Sequence, residues 1–385
     1  MIILYCTNTL WVGGGIEHVT IAKANSLAAI DGNDVWIAVA DNRHPPTTPL
    51  DPKIHIVDLA LTYYVDEAKR SRLSNLVHLA RQNRLHKKKL REVIRTVNPD
   101  IVISTDNFGK YFLPYLRAGK KQVFIREYHM YSKFHLMYPK TLFERTLGWC
   151  RTAIDAFLIK KYDRYVLLTN EDKEKNWRDN DKAIVIPNPI VSNHSYTSLL
   201  DNKTVSAVGR LCLQKNFELL IEAWSIVNSS HPDWRLDIYG DGPDKAHLTE
   251  IIHNLHLEDT ITLQGYDNNI FCQLASSSML AVSSIYEGFP LVIVEAMSCG
   301  LPVVSSDCPC GPKDIIANGN NGFLVPCGNT TELADRICQL IEDSSLRDTM
   351  GKNALETSKK YKMDQIISIW MDLFKELVNE RNNES

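Results

Sequence analysis

The sequence predicts an α/β protein with two domains, each built on a doubly wound parallel sheet. Short apolar runs rich in β-branched residues alternate with helical apolar patterns along nearly the whole chain, and this alternation is typical of βαβ units. The chain has 385 residues, which is more than one hydrophobic core usually serves, so two domains are expected.

The first half of the chain opens on "MIILYCT", which predicts a buried strand rather than a signal peptide because no basic region precedes it. A helical pattern in "GGIEHVTIAKANSLAAI" and a second strand in "DVWIAVAD" follow. The runs "DIVIST", "KQVFIRE" and "RYVLLTN" predict further strands. The alternation stops at residues 186–203, which are rich in Pro, Asn and Ser, and we place the connection between the domains there.

The second half contains five more predicted strands, in "TVSAVGR", "RLDIYGDG", "TITLQGY", "SMLAVSS" and "LPVVSSD". Each ends near Gly, Ser or Asp, which suits ligand-binding loops at the carboxyl ends of parallel strands. The final segment, "MDQIISIWMDLFKEL", has an apolar stripe at helical spacing that must be buried against another element. The predicted domains cover residues 1–190 and 191–360, and a C-terminal helix covers 361–385.

Composition excludes several classes of protein. The net charge of −3 gives no general attraction to nucleic acid, so nucleic acid is not an expected partner. The nine cysteines are scattered, which favours a reducing, cytoplasmic compartment, and Cys308-Pro-Cys310 is too short to define a metal site alone. No run of about 18 apolar residues occurs, so no transmembrane helix is predicted.

Two glutamates flank the stretch "EGFPLVIVE", residues 287–295. Pro290 suits the first position of a helix, and the N–H groups at 288–291 would then form an anion site suited to a diphosphate. Glu287 would precede the helix, and Glu295 would lie about 7.5 Å further along its axis. The two carboxylates could serve groups on either side of the diphosphate. Alternatively, Glu287 only complements the helix dipole and Glu295 is solvated.

A second phosphate-suited stretch is "VGRLCLQKNFELLIEAW", residues 208–224. The strand ends at Gly209, and Arg210 and Lys215 follow in a polar loop before an amphipathic helix. Two cations at the carboxyl end of a strand can neutralise a phosphate leaving group. The alternative is that both are solvated surface cations.

These motifs together resemble the retaining glycosyltransferases of family 4. Glu287 and Glu295 match that family's E-x7-E motif with its G-F-P, and Arg210 and Lys215 match its G-R-x-x-x-x-K. Three loops also resemble family motifs: "IYGDGPDK" with Gly240, "LQGY" with Tyr266, and "VGGGIEHV" with Gly14 and Gly15. The resemblance covers nearly the whole chain and is strongest over 205–330.

The resemblance implies a GT-B fold, in which two Rossmann-like domains face a cleft and the last helix crosses back to the first domain. The first domain would bind the acceptor and the second the donor nucleotide. By resemblance, Glu287 contacts the sugar, Glu295 the ribose, and Arg210 and Lys215 the diphosphate. Further donor-binding residues would be Gly14, Gly15, Gly209, Gly240, Tyr266, Gly288, Phe289, Pro290 and Leu291.

The first domain's candidate for chemistry lies in "VFIREYHMYSKFHLMYPK", residues 123–140. Family members resemble this stretch in carrying a His beside the donor sugar, which favours His129, with His135 as the alternative. Arg126 and Glu127 could instead pair with each other as a surface ion pair. The aromatic residues of this stretch could form a sugar or lipid surface or pack beneath a helix at 141–160; they are Tyr128, Tyr131, Phe134 and Tyr138.

Two other patterns leave alternatives open. Gly13-x-Gly15 resembles half of a dinucleotide fingerprint, and Asp41 lies near where a ribose-binding acid would lie, but position 18 is His rather than Gly. An NAD site would also leave the motifs at 205–300 unexplained. The basic run at 81–95 could contact anionic lipid headgroups or could be a solvated helix face.

The predicted function is therefore retaining transfer of a sugar from a nucleotide-sugar, with UDP the favoured nucleotide, to an acceptor hydroxyl. The expected setting is polysaccharide or lipid-linked glycan assembly in the cytoplasm, with peripheral contact at the inner face of the membrane. No metal and no cofactor are expected, because Arg210 and Lys215 can meet the charge of the diphosphate. The alternatives are a non-catalytic subunit of the same fold and a nucleotide-sugar epimerase.

Overall fold

The computed structural model describes residues 1–12, 14–46, 48–63, 72–105, 109–119, 121–130, 160–191 and 195–383, together with 146, 148, 152 and 157. These residues form two compact units. The described residues of the first unit lie within Met1–Leu168, Lys173–Ile186 and Met363–Ser385. Those of the second unit lie within Thr169–Asp172 and Pro187–Lys362.

From residue 1 to 186 the chain alternates strands and helices: β1 Ile2–Thr7, α1 Gly15–Ala28, β2 Asp34–Val39, β3 His55–Asp58, α2 Arg72–Val97, β4 Ile101–Ser104, β5 Val123–Glu127, β6 Arg164–Leu167, α3 Asn170–Asn176 and β7 Ala183–Val185. Short 3₁₀ helices occur at Gly109–Tyr111 and Leu113–Leu116. The five strands predicted in this half are confirmed. The strands β3 and β7 were not predicted. They are the two edge strands of the first unit's sheet, and their side chains are mostly exposed or only partly buried.

The sheet of the first unit has seven strands in the order β3-β2-β1-β4-β5-β6-β7, and all of its pairings are parallel. The order reverses between β1 and β4, which is the switch point of a doubly wound sheet. Alternate residues of β1 face opposite sides. Ile3 and Tyr5 join a core with Ile21 of α1, whereas Leu4 and Cys6 join the core beneath α2. Helices therefore cover both faces of this sheet.

The second unit continues the alternation: β8 Thr204–Val208, α4 Phe217–Ser230, β9 Arg235–Tyr239, α5 Lys245–Asn254, β10 Ile261–Gly265, α6 Ile270–Ala275, β11 Met279–Val282, α7 Leu291–Ser298, β12 Val303–Ser306, α8 Pro312–Ile315, β13 Gly322–Val325, α9 Thr330–Glu342 and α10 Ser344–Ser358. Its parallel sheet has the order β10-β9-β8-β11-β12-β13, which reverses between β8 and β11. The five strands predicted here are confirmed, whereas β13 was not predicted. The fully buried Leu220 and Trp224 of α4 belong to a single extended core.

The last helix, α11, spans Met363–Asn383 and belongs to the first unit. Its predicted apolar stripe is buried there: Ile366, Ile367, Trp370, Phe374 and Leu377 join the core that contains Ile3 and Tyr5. Near its end, Arg381 pairs with Asp163 beside β6. None of the described helices is long and apolar enough to span a membrane.

The boundaries between the units differ from the predicted boundaries at 190 and 360. Residues 169–172 and 187–190 belong to the second unit, and the last helix begins at Met363 rather than at 361. Backbone pairing explains the shift, because the Ile190 N–H donates to the Tyr361 carbonyl at 2.8 Å. Parts of 186–203 are packed, although Tyr196 and Leu199 are exposed. Ser198 is buried, and its N–H donates to the Cys299 carbonyl at 2.8 Å.

Candidate functional site

The carboxyl ends of three adjacent strands meet at glycines in the second unit. The Gly209 N–H at the end of β8 donates to the Tyr239 carbonyl at 2.9 Å, and the Gly240 N–H donates to the Gly265 carbonyl at 2.7 Å. A Cβ atom on Gly240 would lie 1.9 Å from the Gly209 carbonyl oxygen, and Gly240 has a φ of 141°. Only glycine, which has no Cβ atom, allows this approach. Gly240 therefore lets the ends of β8 and β9 lie in close contact.

The loops that follow β8 and β11 are joined by hydrogen bonds at the switch point. The Ile285 N–H donates to the Gln214 carbonyl at 2.8 Å, and the Gln214 side chain donates to the Tyr286 carbonyl at 3.0 Å. The Ser283 hydroxyl donates to the Lys215 carbonyl at 2.9 Å. These bonds fix the loop that carries Lys215 against the loop that carries Glu287.

Lys215 and Glu287 form a partly buried ion pair. The Lys215 Nζ donates to Glu287 Oε1 at 2.6 Å, and the Ser284 hydroxyl donates to the same oxygen at 2.6 Å. Burial alone would lower the pKa of Lys215, but the attraction of Glu287 outweighs it and the pKa is raised. Lys215 is therefore a fixed cation at the end of the central strands.

The start of α7 differs in detail from the prediction. The helix begins at Leu291, so Pro290 is the residue before the first helical position and not the first helical residue. The predicted free N–H of Leu291 donates to the Phe289 carbonyl at 2.9 Å, because the chain turns tightly at Pro290. In the described part of the chain, the N–H groups of Gly288, Phe289 and Val292 donate no hydrogen bond. Those three groups are the donors left for an anion.

Glu295 is the fifth residue of α7 and is near the ion pair. Burial raises the pKa of its carboxyl to about 7, although the positive charge of Lys215 acts in the opposite direction. Lys215 thus pairs directly with Glu287 and acts electrostatically on Glu295. This environment holds Glu295 partly protonated near neutral pH.

Three other predicted residues lie around this cluster in different environments. Arg210 is exposed, and no hydrogen bond or ion pair of its side chain occurs within the described ranges. Tyr266 directly follows β10 and is 68% exposed. Phe289, in contrast, is buried, and its ring centroid lies 5.7 Å from that of Tyr361. Phe289 therefore contributes packing and its backbone N–H rather than a ring surface.

In the first unit, Gly14 precedes α1 and Gly15 is its first residue. A Cβ atom on Gly14 would lie 2.8 Å from the Glu17 carboxylate, which also accepts a hydrogen bond from the Thr9 hydroxyl at 3.1 Å. Asp41 does not offer a free carboxylate to a ribose. Burial would raise its pKa, but hydrogen bonds from Arg43 at 2.6–3.2 Å outweigh burial and lower it. The geometry thus gives no support to an NAD site.

His129 follows β5 in a buried polar cluster of the first unit. Its Nε2 lies 3.7 Å from Glu127 Oε1, and within the described residues neither of its ring nitrogens has a hydrogen-bond partner. Burial lowers the pKa of His129 to about 4 despite the nearby negative charge of Glu127. The predicted surface pairing of Arg126 with Glu127 is wrong. Both side chains are buried, and Glu127 pairs with Lys23 of α1.

Some predicted residues lie outside the described part of the chain: Gly13, His135, Tyr131, Phe134, Tyr138 and most of 141–160. Sequence reasoning also missed functional neighbours. Ser284 was missed because a serine gives no pattern of its own. Lys23 could have been found, because it interrupts the apolar face of α1 and a buried cation requires a partner.

The comparison with protein families concerns the second unit. Residues 194–357 match the family model described as glycosyl transferases group 1. The matched range contains Lys215, Glu287 and Glu295. This segment is a group 1 glycosyltransferase domain. The group 1 domain thus carries the whole cluster at the switch point of β8 and β11.

Two relatives extend the similarity beyond this domain. The chain is 29% identical over 364 residues to an uncharacterized glycosyltransferase of Haemophilus influenzae, covering 93% of this chain and 95% of that protein. It is also 29% identical over 399 residues to the exopolysaccharide phosphotransferase of Streptomyces coelicolor. That match covers 96% of this chain but 40% of the Streptomyces protein, so this chain spans less than half of that relative.

A solved structure agrees with the fold. TarM of S. aureus, in complex with fondaparinux, α-GlcNAc-glycerol and UDP, superposes with a TM-score of 0.75. The match covers 97% of this chain and 99% of TarM at 17% identity. At this identity the similarity shows the fold. The fold is that of the GT-B glycosyltransferases, with two Rossmann-like parallel-sheet units, as the sequence predicted.

Proposed function

We propose that the protein is a retaining glycosyltransferase of family 4, which transfers a sugar from a UDP-sugar to an acceptor hydroxyl during polysaccharide or lipid-linked glycan assembly. One observation carries the proposal: Lys215 pairs with Glu287 at the switch point of the group 1 domain, and the charge of Lys215 acts on the nearby Glu295. The UDP bound to TarM and the exopolysaccharide function named for the Streptomyces relative support the finer choices of donor and setting.

The diphosphate of the donor is assigned to the cations and free N–H groups of this cluster. Arg210 is exposed and lacks a partner among the residues that the structure describes, so its guanidinium is available to a phosphate. The N–H groups of Gly288, Phe289 and Val292 lack acceptors there as well. Together with Lys215 they would stabilise the charge that grows on the diphosphate as the glycosidic bond breaks.

The ion pair gives Lys215 and Glu287 linked roles. A diphosphate that contacts the Lys215 ammonium competes with the Glu287 carboxylate for the same three donors. Glu287 then keeps the Ser284 hydrogen bond and turns its remaining acceptor capacity toward a hydroxyl of the sugar. Donor binding would thereby exchange one partner of Lys215 for another without leaving a buried charge unpaired.

The nucleoside part of the donor is assigned to Glu295 and Tyr266. Glu295 lies inside α7, whereas Glu287 precedes the helix, and the Glu295 carboxylate would accept hydrogen bonds from the ribose hydroxyls. Tyr266 would cover the base at the ends of β9 and β10, where Gly240 lets the backbone approach closely. Gly209 lies at the same carboxyl end of the strands, where its N–H donates to the Tyr239 carbonyl.

The first unit is proposed to bind the acceptor. Gly14 and Gly15, at the start of α1, stay proposed donor-binding residues of this unit. His129 is the candidate for a hydrogen bond to a sugar hydroxyl. Because its pKa is about 4, the imidazole is neutral at physiological pH and can both donate and accept a hydrogen bond.

The proposed reaction breaks the bond between the anomeric carbon and the diphosphate oxygen, and the electron pair leaves with the diphosphate. The acceptor oxygen forms the new bond on the face that the diphosphate leaves, so the anomeric configuration is retained. The acceptor proton passes to an oxygen of the departing diphosphate. Lys215 and Arg210 supply the positive charge, so no metal and no cofactor are required.

The test is a donor panel followed by a transfer assay. UDP-, GDP- and CDP-sugars are compared by thermal unfolding, where a ligand at 100 times its dissociation constant stabilises the fold by about 2.7 kcal/mol. The stabilising donor is then incubated with glycan acceptors, and the anomeric configuration of the product is read by NMR. We expect a UDP-sugar to bind, retention in the product, and turnover that survives EDTA.

Other outcomes identify the alternatives. Conversion of the donor sugar without an acceptor would indicate an epimerase, and binding without any turnover would indicate a non-catalytic subunit. An inverted product would contradict the retaining mechanism. Turnover lost in EDTA and restored by Mg²⁺ or Mn²⁺ would contradict metal independence.

A further inference from the structure

We propose that the outward face of α2 is a docking surface for an anionic lipid bilayer. The face is defined by six exposed side chains of this helix: Leu76, Val77, Arg81, Arg84, Lys87 and Lys88. The proposal goes beyond transfer chemistry, because binding to a membrane needs neither donor nor acceptor.

The opposite side of α2 is fixed to the first unit, so the outward face has a stable shape. Leu90 and Ile94 are fully buried in the core that contains Leu4 and Cys6. Gln82 is buried and donates to the Thr62 hydroxyl at 2.9 Å. The helix therefore cannot rotate its cations inward without breaking this packing.

The charge of α2 contrasts with the rest of the chain. The helix has eight Lys and Arg residues against one Glu, whereas the whole chain has a net charge of −3. The remaining sequence is thus distinctly acidic, and the positive charge is concentrated on one element. No described carboxylate lies within ion-pair distance of Arg81, Arg84, Lys87 or Lys88. These cations retain their full attraction for an external anion.

The apolar residues of the face favour a lipid surface over a soluble polyanion. Leu76 and Val77 are 65% and 64% exposed, and Val77 lies one helical turn before Arg81. Large apolar side chains at such exposure beside cations are typical of helices that lie in a membrane interface. Headgroups would bind Arg81, Arg84, Lys87 and Lys88, and the acyl boundary would accept Leu76 and Val77. A soluble polyanion would leave both apolar side chains in water.

The test is sedimentation with vesicles, using the full chain. The wild type should bind phosphatidylcholine vesicles that contain roughly a quarter phosphatidylglycerol and should not bind pure phosphatidylcholine. A charge variant combines Arg81→Glu, Arg84→Glu and Lys88→Glu. Because each cation near such a surface contributes about 1 kcal/mol, we expect at least a hundredfold weaker partition.

A matched control has the same change of net charge elsewhere. Lys352→Glu, Lys360→Glu and Lys362→Glu alter three exposed cations of the second unit and should leave vesicle binding unchanged. A third variant, Leu76→Ser with Val77→Ser, tests the apolar part and should weaken partition about tenfold or more while salt sensitivity remains. All of these positions are exposed, and circular dichroism verifies that each variant folds.

Three outcomes would overturn the proposal. Equal loss in the charge variant and its matched control would show that only net charge matters. Equal binding to vesicles with and without phosphatidylglycerol would show that the face does not recognise anionic headgroups. Binding to polyphosphate that matches vesicle binding, with no effect of the Leu76 and Val77 substitutions, would assign the face to a soluble polyanion.

Discussion

The Lys215 ammonium donates a 2.6 Å hydrogen bond to the Glu287 carboxylate, across 72 residues of sequence. The two residues meet because β8 and β11 are neighbours at the point where the strand order reverses. Each residue is thus the charged partner of the other. In the proposed function, a donor that binds both residues would exchange this bond for bonds of its own.

The first prediction concerns Lys215. Lys215→Ala should lower kcat by about 10²–10³-fold, as the loss of one group that meets developing negative charge does in other enzymes. The Glu287 carboxylate loses a charged partner but keeps Ser284, so we expect a loss of about 1–3 kcal/mol in the free energy of unfolding. Steady-state turnover and urea unfolding measure the two effects.

The control for Lys215 is Lys352→Ala, which removes an exposed cation of the same unit and should leave turnover unchanged. If turnover of Lys215→Ala stays within a few-fold of the wild type, Lys215 takes no part in the reaction. The assignment of Lys215 to the reaction is supported if Lys215→Ala is folded but turns over slowly, while Lys352→Ala melts and turns over like the wild type.

The second prediction separates the two glutamates. Ribose is present in both the donor and free UDP, so Glu295→Ala should weaken both by about tenfold to a hundredfold, which corresponds to about 1.5–3 kcal/mol for a hydrogen bond to a charged group. Glu287→Ala should bind free UDP nearly normally and lose affinity or rate for the intact donor. Calorimetric titration of both variants with both ligands measures this. Equal losses for all four combinations would mean that the pair only shapes the start of α7.

The third prediction concerns pH. Burial raises the pKa of Glu295 to about 7 from its ordinary 4.5, so between these values the folded protein holds a proton that the unfolded chain releases. The free energy of unfolding should therefore fall as pH rises from about 4.5 to about 7, by at most about 3.5 kcal/mol. Glu295→Gln should flatten this part of the profile. Urea unfolding at several pH values measures both proteins, and identical slopes would show that Glu295 is ionised throughout.

The fourth prediction concerns Lys23 and Glu127, which form an ion pair with both side chains 1% exposed. Lys23→Met or Glu127→Met alone leaves a buried charge without its partner and should cost about 3–5 kcal/mol in the free energy of unfolding. The double variant should regain much of that loss, because no unpaired charge remains. Denaturant unfolding of the four proteins gives the coupling energy.

The exposed pair Lys203–Asp233 provides the comparison, since its side chains are 60% and 57% exposed. Lys203→Met should change the free energy of unfolding by less than about 1 kcal/mol. Additive losses in the buried pair, with no recovery in the double variant, would mean that Lys23 and Glu127 act separately.

Much of the fold follows from local patterns, because a strand such as β8 or β11 is an apolar run that ends at Gly or Ser. The strands β3, β7 and β13 escape this reasoning. All three are edge strands, and pairing with a single neighbouring strand, rather than their own pattern, makes them strands. The start of α7 shows the same limit: the motif predicts a helix, but the turn at Pro290 decides which N–H groups remain free.

The sequence alone determined the order of strands and helices and the residue types at the strand ends, including Glu287, Glu295 and Lys215. These depend on hydrophobic periodicity and on motif spacing, which act over a few residues. Only the tertiary structure decided that Lys215 pairs with Glu287, that Glu127 pairs with the buried Lys23, and that α2 turns its cations outward. The physical reason is that charges far apart in sequence become neighbours only when the strand order is fixed. Burial then sets how strongly they act on each other.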